Sequence, residues 1–283
     1  MQMPVRVEGL GCWWKIVISY RMQKVVFKDL GQMEYQQAWD YQEALLQENV
    51  RIKTEARQRA EVLAVGAVDG NDGVNGGRGS GALAGGAGIA TDAAATTHYL
   101  LLVEHPPVYT LGKSGHIGNA LIDEEQMGER GIQFFRTNRG GDITFHGPGQ
   151  LVGYPILDLE RFYTDIGRYL RDLEEVTIAV LAGYGIRGER SPGETGVWIE
   201  PGNKGRERKI CAIGVRCSRW VTMHGFALNV NTDLGYFGNI IPCGIQDKQV
   251  TSLSRELGRR VPLEEVKAAW MREFEKVFGV ELV

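Results

Sequence analysis

The chain has 283 residues, of which 43% are hydrophobic and 24% charged, a composition typical of a globular protein with a core of normal size. Its net charge of −3 argues against a nucleic-acid-binding protein, because such proteins usually present a strongly basic face. No run approaches the roughly 18 apolar residues of a membrane-spanning helix, and no small-residue cleavage site follows the N-terminus. We therefore expect a soluble protein that is not exported.

The cysteine pattern points away from disulfide, zinc and redox proteins. The chain has four cysteines at uneven spacing: Cys12, Cys211, Cys217 and Cys243. None belongs to the C-x-x-C pair expected of a zinc or thioredoxin-like site. We expect a reduced, cytoplasmic setting and no metal site.

The N-terminal third contains two segments that differ from a folded core. Residues 1–21 differ in character from the rest of the chain, and we expect them to form an N-terminal extension, or to precede the true start if that is Met22. Over residues 33–63, apolar side chains fall at helical spacing among Gln, Glu and Arg, which predicts an amphipathic helix. Ten of the 32 residues at 66–97 are glycine and most others are small or polar. This composition predicts a disordered surface insert.

The remaining chain predicts strands mixed with a few helices. A continuous apolar run at 99–103 predicts a buried strand, which the pair Pro106-Pro107 ends. Further strands are predicted at 133–136, 143–145, 151–157, 209–215 and 221–230. Helices are predicted at 164–184 and 263–278. Without an internal repeat, this mixture predicts a single α/β (α+β) domain, which the insert interrupts without dividing.

The first segment with chemical character is RGGDITFHGPGQLVGYP, residues 139–155. Adjacent Gly140 and Gly141 let backbone N–H groups approach a ligand closely, and the HGPG run forces a tight turn. Such a loop suits an oxyanion or an acyl chain, although a hairpin turn whose glycines only supply positive φ explains the same composition. Asp142 and His146 could pair for acid–base chemistry, with a hydrogen-bonded structural histidine as the alternative.

The second segment, KICAIGV, places a lysine in an apolar strand. Strand alternation predicts that Lys209, Cys211 and Ile213 share one face. An ammonium group in such a strand is costly unless it reaches solvent or a partner, and burial lowers the pKa of a lysine towards the working range. The alternative is a lysine that only extends to solvent. Cys211, small and among apolar neighbours, is expected to be an inert core residue.

Two further segments are TMHGFALNV at 222–230 and IIPCGI at 240–245. The pair His224-Gly225 interrupts a strand-like run and indicates either a close approach of a ligand or a bulge. A proline and a glycine bracket Cys243, which predicts a thiol presented on a tight loop, with an incidental buried thiol as the alternative.

Lys209 and Cys243 lie 34 positions apart and together suggest an acyl-transfer dyad. A thiol attacks only as the thiolate. A nearby amine is one of the few groups that can lower the pKa of the thiol, or take its proton, without a histidine.

Together these segments resemble the octanoyltransferase family, the lipoyl(octanoyl) transferases or lipoate-protein ligase B family. EHPPVYTLG, RGGDITFHGPGQ, KICAIGVR, TMHGFALNV and PCG occur in the family's order. The resemblance implies a catalytic domain over residues 22–283 with the fold of lipoate-protein ligases and of the catalytic domain of biotin ligases. Residues 1–21 and the insert at 66–97 have no clear counterpart in the family.

The resemblance also implies residue roles. Cys243 would carry the acyl group and Lys209 would activate it. The implied substrate-binding residues are Arg139, Gly140, Gly141, Asp142, Ile143, Thr144, Phe145, His146, Ala212, Ile213, Gly214, His224, Gly225, Phe226 and Ala227.

The implied function belongs to lipoate biosynthesis and protein lipoylation. An octanoyl group would pass from octanoyl-acyl carrier protein, through a cysteine thioester, to the lysine of apo lipoyl domains of 2-oxoacid dehydrogenase complexes or of the glycine cleavage H protein. No cofactor is expected, because the thioester already carries the activation, and no nucleic acid or membrane partner is expected.

Three other functions remain open at this point. An ATP-dependent lipoate or biotin ligase would share the fold but use no cysteine nucleophile. A relay amidotransferase would move octanoyl between lipoyl domains through a cysteine. A non-catalytic acyl-binding protein would never form an adduct on Cys243.

Overall fold

The computed structural model describes residues 22–68, 95–241 and 249–283. The strands in these ranges are β1 (Gln23–Gln32), β2 (His98–Glu104), β3 (Val108–Leu111), β4 (Gln133–Arg136), β5 (Ile143–His146), β6 (Gln150–Ile156), β7 (Val197–Ile199), β8 (Arg208–Ser218), β9 (Val221–Asn229), β10 (Gln249–Val250) and β11 (Val280–Leu282). The helices are α1 (Tyr35–Val68), α2 (Glu124–Glu129), α3 (Ile166–Gly183), α4 (Leu253–Leu257) and α5 (Leu263–Phe278).

The larger of two sheets, called the main sheet here, has the strand order β10-β8-β9-β6-β2-β1-β11, and β7 pairs with β8. The neighbouring pairs β8–β9, β9–β6 and β6–β2 are each antiparallel, whereas β1 runs parallel to both β2 and β11. Helices α3 and α5 pack on one face, where Trp270 stacks on Phe226 with ring centroids 4.0 Å apart. Helix α1 covers the other face. Because both faces are covered, β2 and β6 are buried along most of their length.

The small sheet has the strand order β4-β3-β5 and its own apolar cluster, which includes Tyr109, Phe145 and Phe237. Helix α2 contributes Met127 to this cluster. Asp123 caps α2 by accepting a hydrogen bond from the backbone of Gln126, whose side chain bonds back to the Asp123 N–H.

The predicted fold class, a single mixed α/β domain, is confirmed. Helix α5 has the predicted bounds, and α3 is two residues shorter at its start and one at its end. Helix α1 runs to Val68, so the predicted start of the insert at residue 66 lies inside the helix. At the other end of the predicted insert, the side chain of Asn49 bonds both the backbone N–H and the carbonyl oxygen of Thr97, at 2.9 and 2.7 Å.

The rest of the predicted insert, 69–94, and the predicted extension, 1–21, lie outside the described residues. Five strands were not predicted: β1, β3, β7, β10 and β11. No helix in the described ranges is long and apolar enough to cross a bilayer.

Candidate active site

A cleft of about 560 Å³ lies where the small sheet meets β8 and β9 of the main sheet. This volume is in the range of small-molecule pockets in proteins. Its lining contains most of the residues predicted from the sequence: Arg139, Gly140, Gly141, Asp142, Ile143, Thr144, His146, Lys209, Ala212, Ile213, Gly214, His224, Gly225, Phe226 and Ala227. The fold therefore brings residues 139–146 against the neighbouring strands β8 and β9, which lie much further along the chain.

Phe145 is placed differently from the prediction. Its ring stacks on Tyr236 with centroids 4.5 Å apart and lies 5.6 Å from the ring of Tyr109, inside the core of the small sheet. Strand alternation is the physical reason: Thr144 and His146 on β5 line the cleft, so the side chain between them points to the opposite face. Phe145 supports the cleft wall from behind.

The glycines of the RGGD loop allow this loop to pack closely on β8. Gly140 donates its N–H to the carbonyl oxygen of Val215 at 3.0 Å. A Cβ on Gly214 would lie 2.9 Å from the carbonyl oxygen of Gly140, so a side chain there would push the loop away. Gly141 has a φ of +88°, which favours glycine. The glycines thus provide both the turn and the close approach.

Asp142 and His146 do not form the proposed acid–base pair. The carboxylate of Asp142 accepts hydrogen bonds from the side chain of Asn119 and from the N–H of Ile143. His146 bonds through Nδ1 to Gln150 Oε1 at 2.9 Å. Burial lowers the pKa of His146 to about 3, so this ring is neutral and a poor proton acceptor near pH 7.

Lys209 lines the cleft near the start of β8, where a bulge changes the strand's alternation. Lys209 pairs with Trp198, but the next pair on β7 is Val197 with Cys211, so Ile210 is the extra residue. The predicted sharing of one face by Lys209 and Cys211 is therefore wrong. The side-chain Nζ of Lys209 lies 4.6 Å from the centroid of the Trp198 ring.

Cys211 is an inert core residue, as predicted. It is fully buried, and its Sγ lies 3.9 Å from the hydroxyl of Thr177 on α3. Burial raises the pKa of the Cys211 thiol to about 12, which leaves essentially no thiolate near neutral pH.

His224 occupies an unusual position on β9. Its φ is +57°, a left-handed value that is strained for a residue other than glycine. Its backbone N–H donates to Gln42 Oε1, and its Nε2 lies 2.7 Å from Asn138 Oδ1. Burial lowers the pKa of His224 to about 3, and its Nδ1 has no hydrogen-bond partner among the described residues. His224 therefore places a neutral, buried ring in the cleft wall.

Gly225 follows this strained residue and is constrained by β6. A Cβ at Gly225 would lie 2.2 Å from the carbonyl oxygen of Gly153. The close approach expected for this glycine is thus made by a neighbouring strand.

Cys243 lies outside the described residues. The described chain stops at Ile241, whose N–H donates to the carbonyl oxygen of Asn119, and resumes at β10. There, Val250 pairs with Lys209. Phe237 and Val250 line the cleft on either side of this gap in the described chain.

Several cleft residues were not predicted from the sequence. They include Tyr35, Gln150, Tyr154, Ile166, Leu170, Glu194 and Asn229. Gln150 ends the motif RGGDITFHGPGQ and Asn229 belongs to TMHGFALNV, so the signal was present in both motifs. Tyr35 lies in the amphipathic helix predicted over residues 33–63; its ring stacks on His146 with centroids 6.0 Å apart.

Solved structures of lipoate protein ligases share this fold. The structure superposes with a TM-score of 0.53 on a chain of the bi-partite lipoate protein ligase system of Thermoplasma acidophilum, at 20% identity over 66% of this chain and 73% of that one. It superposes with a TM-score of 0.54 on lipoate-protein ligase A bound with ATP, at 18% identity over 66% and 75% of the two chains. At these identities the similarity shows a shared fold.

Sequence comparison identifies the family. Residues 89–275 match the family described as lipoyl protein ligase A/B catalytic domain. The octanoyltransferase of Christiangramia forsetii is 49% identical over 92% of this chain and 98% of its own length. That of Flavobacterium johnsoniae is 50% identical over 92% and 99% of the two chains. The chain belongs to this family and within it to the octanoyltransferases, so it is an acyltransferase.

Proposed function

We propose that this protein transfers an octanoyl group from octanoyl-acyl carrier protein to the lysine of an apo lipoyl domain, through a thioester on Cys243 activated by Lys209. The observation that carries the proposal is the position of Lys209 on the wall of an apolar cleft, paired with Val250 at the point where the described chain resumes after Cys243. The identity to octanoyltransferases over nearly the whole chain supports the same reaction.

The cleft suits an acyl chain. Ala212 and Ile213 on β8 and Phe226 and Ala227 on β9 give it a mainly apolar wall. Burying methylene groups against such a wall is favourable by about 0.8 kcal/mol per CH₂. We therefore assign the octanoyl tail to the β8 and β9 wall, and the thioester head to the end of the cleft at Lys209.

In the first half-reaction, the thiolate of Cys243 would attack the carbonyl carbon of the octanoyl thioester. Backbone N–H groups of the glycine-rich loop would stabilise the oxyanion. The carbon–sulfur bond to the phosphopantetheine breaks, the proton that Lys209 took from Cys243 passes to the leaving thiol, and octanoyl-Cys243 remains.

In the second half-reaction, the neutral amine of the lipoyl-domain lysine would attack octanoyl-Cys243. Lys209 would accept a proton from the attacking nitrogen, and the amide forms as the cysteine leaves. Each half-reaction thus exchanges one acyl bond for another, and no nucleotide or metal is consumed.

The partners we propose are octanoyl-acyl carrier protein as donor, and apo lipoyl domains of 2-oxoacid dehydrogenase complexes or the glycine cleavage H protein as acceptors. The setting we propose is the cytoplasm. The ATP-dependent ligase remains the principal competing function, because the superposed structures include ligases.

Intact-mass measurement tests the role of Cys243. Wild-type protein incubated with octanoyl-acyl carrier protein, without ATP, should gain one octanoyl group and pass it to an apo lipoyl domain. Cys243→Ser should abolish both steps, whereas the matched control Cys217→Ser, at a half-buried cysteine, should retain them. Turnover by Cys243→Ser, or a requirement for ATP with free octanoate, would contradict the proposal. An octanoylated lipoyl domain that serves as the better donor would instead favour the relay amidotransferase.

Thiol alkylation tests the role of Lys209. Lys209→Ala should slow alkylation of Cys243 near neutral pH and lower the transfer rate by roughly 10²–10⁴, as expected for the loss of a general base. Lys209→Arg should rescue only in part, because guanidinium can hardly accept and return a proton. The exposed Lys204→Ala serves as the control. An unchanged alkylation profile in Lys209→Ala would show that another group activates the thiol.

A further inference from the structure

A directed series of hydrogen bonds runs through buried residues of the cleft wall and begins at Arg139. Nη2 of Arg139 donates to the hydroxyl oxygen of Thr110 at 2.9 Å and to its carbonyl oxygen at 2.7 Å. Because guanidinium can only donate, the Thr110 hydroxyl keeps its own proton for Nε2 of His146, 3.4 Å away. The direction of donation therefore runs from Arg139 towards His146.

The next members fix the direction further. Nε2 of Gln150 lies 3.1 Å from the carbonyl oxygen of Phe145 and 2.8 Å from Oδ1 of Asn229. Two acceptors on the same side set the orientation of the Gln150 amide, which turns Oε1 towards Nδ1 of His146 at 2.9 Å. Nδ1 must then carry the proton of the neutral ring, so Nε2 is free to accept from Thr110.

The series ends at Lys209. Nδ2 of Asn229 donates to the carbonyl oxygen of Thr251 at 3.0 Å, and the N–H of Thr251 donates to the carbonyl oxygen of Lys209 at 2.9 Å. Thr251 directly follows β10, where the described chain resumes after Cys243. The series thus connects the RGGD loop to the backbone of Lys209 and to the segment that follows Cys243.

The members of this series are buried and its links agree in direction. His146 is 7% exposed, Gln150 1%, Asn229 4% and Thr251 0%. Gln150 and Asn229 face each other as a cross-strand pair on β6 and β9. Buried networks whose members are all satisfied are rigid, and removing one donor leaves a buried carbonyl oxygen without its partner.

We propose that Gln150 and Asn229 are positioning residues for octanoyl transfer, which hold Thr251 against Lys209 and so fix the lysine relative to the chain that leads from Cys243. The inference deepens the proposed function and depends on its assignment of Lys209 and Cys243. Gln150 and Asn229 act through the backbone of Thr251, next to β10, and touch neither reacting atom.

The variant Asn229→Asp tests this inference directly. It keeps the oxygen that accepts from Gln150, but it places a second oxygen against the carbonyl oxygen of Thr251, where a donor stood. We expect kcat for octanoyl transfer to fall about a hundredfold, as for other misplacements of catalytic groups, with little change in KM for the octanoyl donor. The alkylation rate of Cys243 should fall in parallel.

The pH profile separates positioning from a general structural role. Burial against a carbonyl oxygen should raise the pKa of the introduced carboxyl, and its protonated form can donate to Thr251. The ratio of Asn229→Asp activity to wild-type activity should therefore rise as pH falls. It should stay flat and low for Asn229→Leu, which has no proton to gain. The charged and titratable groups around this position are His146, Lys209, Arg208 and Glu256, and division by the wild-type activity removes the pH effects common to both proteins.

Thr222→Val is the matched control. Thr222 is fully buried on β9 and bonds the carbonyl oxygen of Pro155, far along the strand from Asn229. This control should lower the melting temperature and keep kcat. A kcat for Asn229→Asp equal to that of Thr222→Val, or a flat pH ratio, would overturn the inference. If the proposed function is wrong, wild-type protein will turn over without forming an octanoyl adduct on Cys243. This result is distinct from the two that would overturn the inference.

Discussion

The main sheet and the small sheet border the same cleft, but their interiors differ in chemistry. The main sheet is filled with apolar side chains, among them the stacked rings of Phe226, Trp270 and Phe274. The small sheet has a smaller apolar cluster, and its cleft-facing side buries Arg139 and His146, held by hydrogen bonds. The stability of an apolar core depends little on pH but strongly on side-chain volume, whereas the stability of a buried polar network depends on each donor and acceptor.

This difference corresponds to the two parts of the proposed substrate, an octanoyl thioester. The main sheet offers an apolar wall that suits an acyl tail. The small sheet supplies the polar loop that suits a thioester carbonyl and its developing negative charge. Because the cleft lies at the junction of the two sheets, one sheet can supply the apolar wall and the other the polar loop.

The largest effect is expected from a substitution in the apolar core of the main sheet. Trp270→Ala removes a fully buried ring that stacks on both Phe226 and Phe274. We expect a loss of about 3–5 kcal/mol in the free energy of unfolding, measured by urea denaturation at neutral pH. A loss below about 1 kcal/mol would mean that the main sheet is not stabilised chiefly by this packing.

The sequence predicted the main sheet better than its edges. Residues 99–103 and helix α5 were predicted because a continuous apolar run and a clear helical period are local signals. Strand β1 is half exposed and pairs in parallel with distant strands, so its pattern QKVVFKDLGQ carries little local signal. The same limit explains β7 and β10, which are two or three residues long.

Most of the predicted site residues line the cleft, but their arrangement was not predicted. The bulge at Ile210, which separates Lys209 from Cys211, depends on pairing with β7 and has no sequence signature. The hydrogen bonds of His146 likewise depend on Gln150 and Thr110, which other strands bring together. Lys209 and the glycine loop were predicted because a lysine is unusual in an apolar strand and adjacent glycines are a local signal of a loop.

An effect of intermediate size is expected from two buried histidines, His105 and His146. Burial lowers the pKa of His105 from 6.5 to about 4 and that of His146 from 6.5 to about 3. The unfolded chain therefore binds more protons than the folded one below about pH 6.5, so the free energy of unfolding should fall as the pH drops from there towards 4. Each ring should contribute about 2 kcal/mol of this loss at pH 5.

Removing one ring tests this assignment. His105→Gln should flatten the dependence of the unfolding free energy on pH between about 6.5 and 4, whatever its effect at pH 7, because one titrating group is gone. Equal slopes in wild-type protein and His105→Gln would show that His105 does not contribute to the acid stability.

The smallest effect concerns whether the two sheets unfold together. Asp123 caps α2, which contributes Met127 to the small-sheet cluster and leads into β4 through Ile132. Asp123→Ala should cost about 1 kcal/mol, whereas Asp123→Asn should cost less because asparagine is also a good N-cap. Amide hydrogen exchange would locate the loss. If the small sheet opens as a separate unit, protection should fall in β4 and α2 and remain in β2 and β6 of the main sheet. A parallel loss of protection in β2 and β6 would show that the two sheets, despite their different interiors, form one cooperative unit.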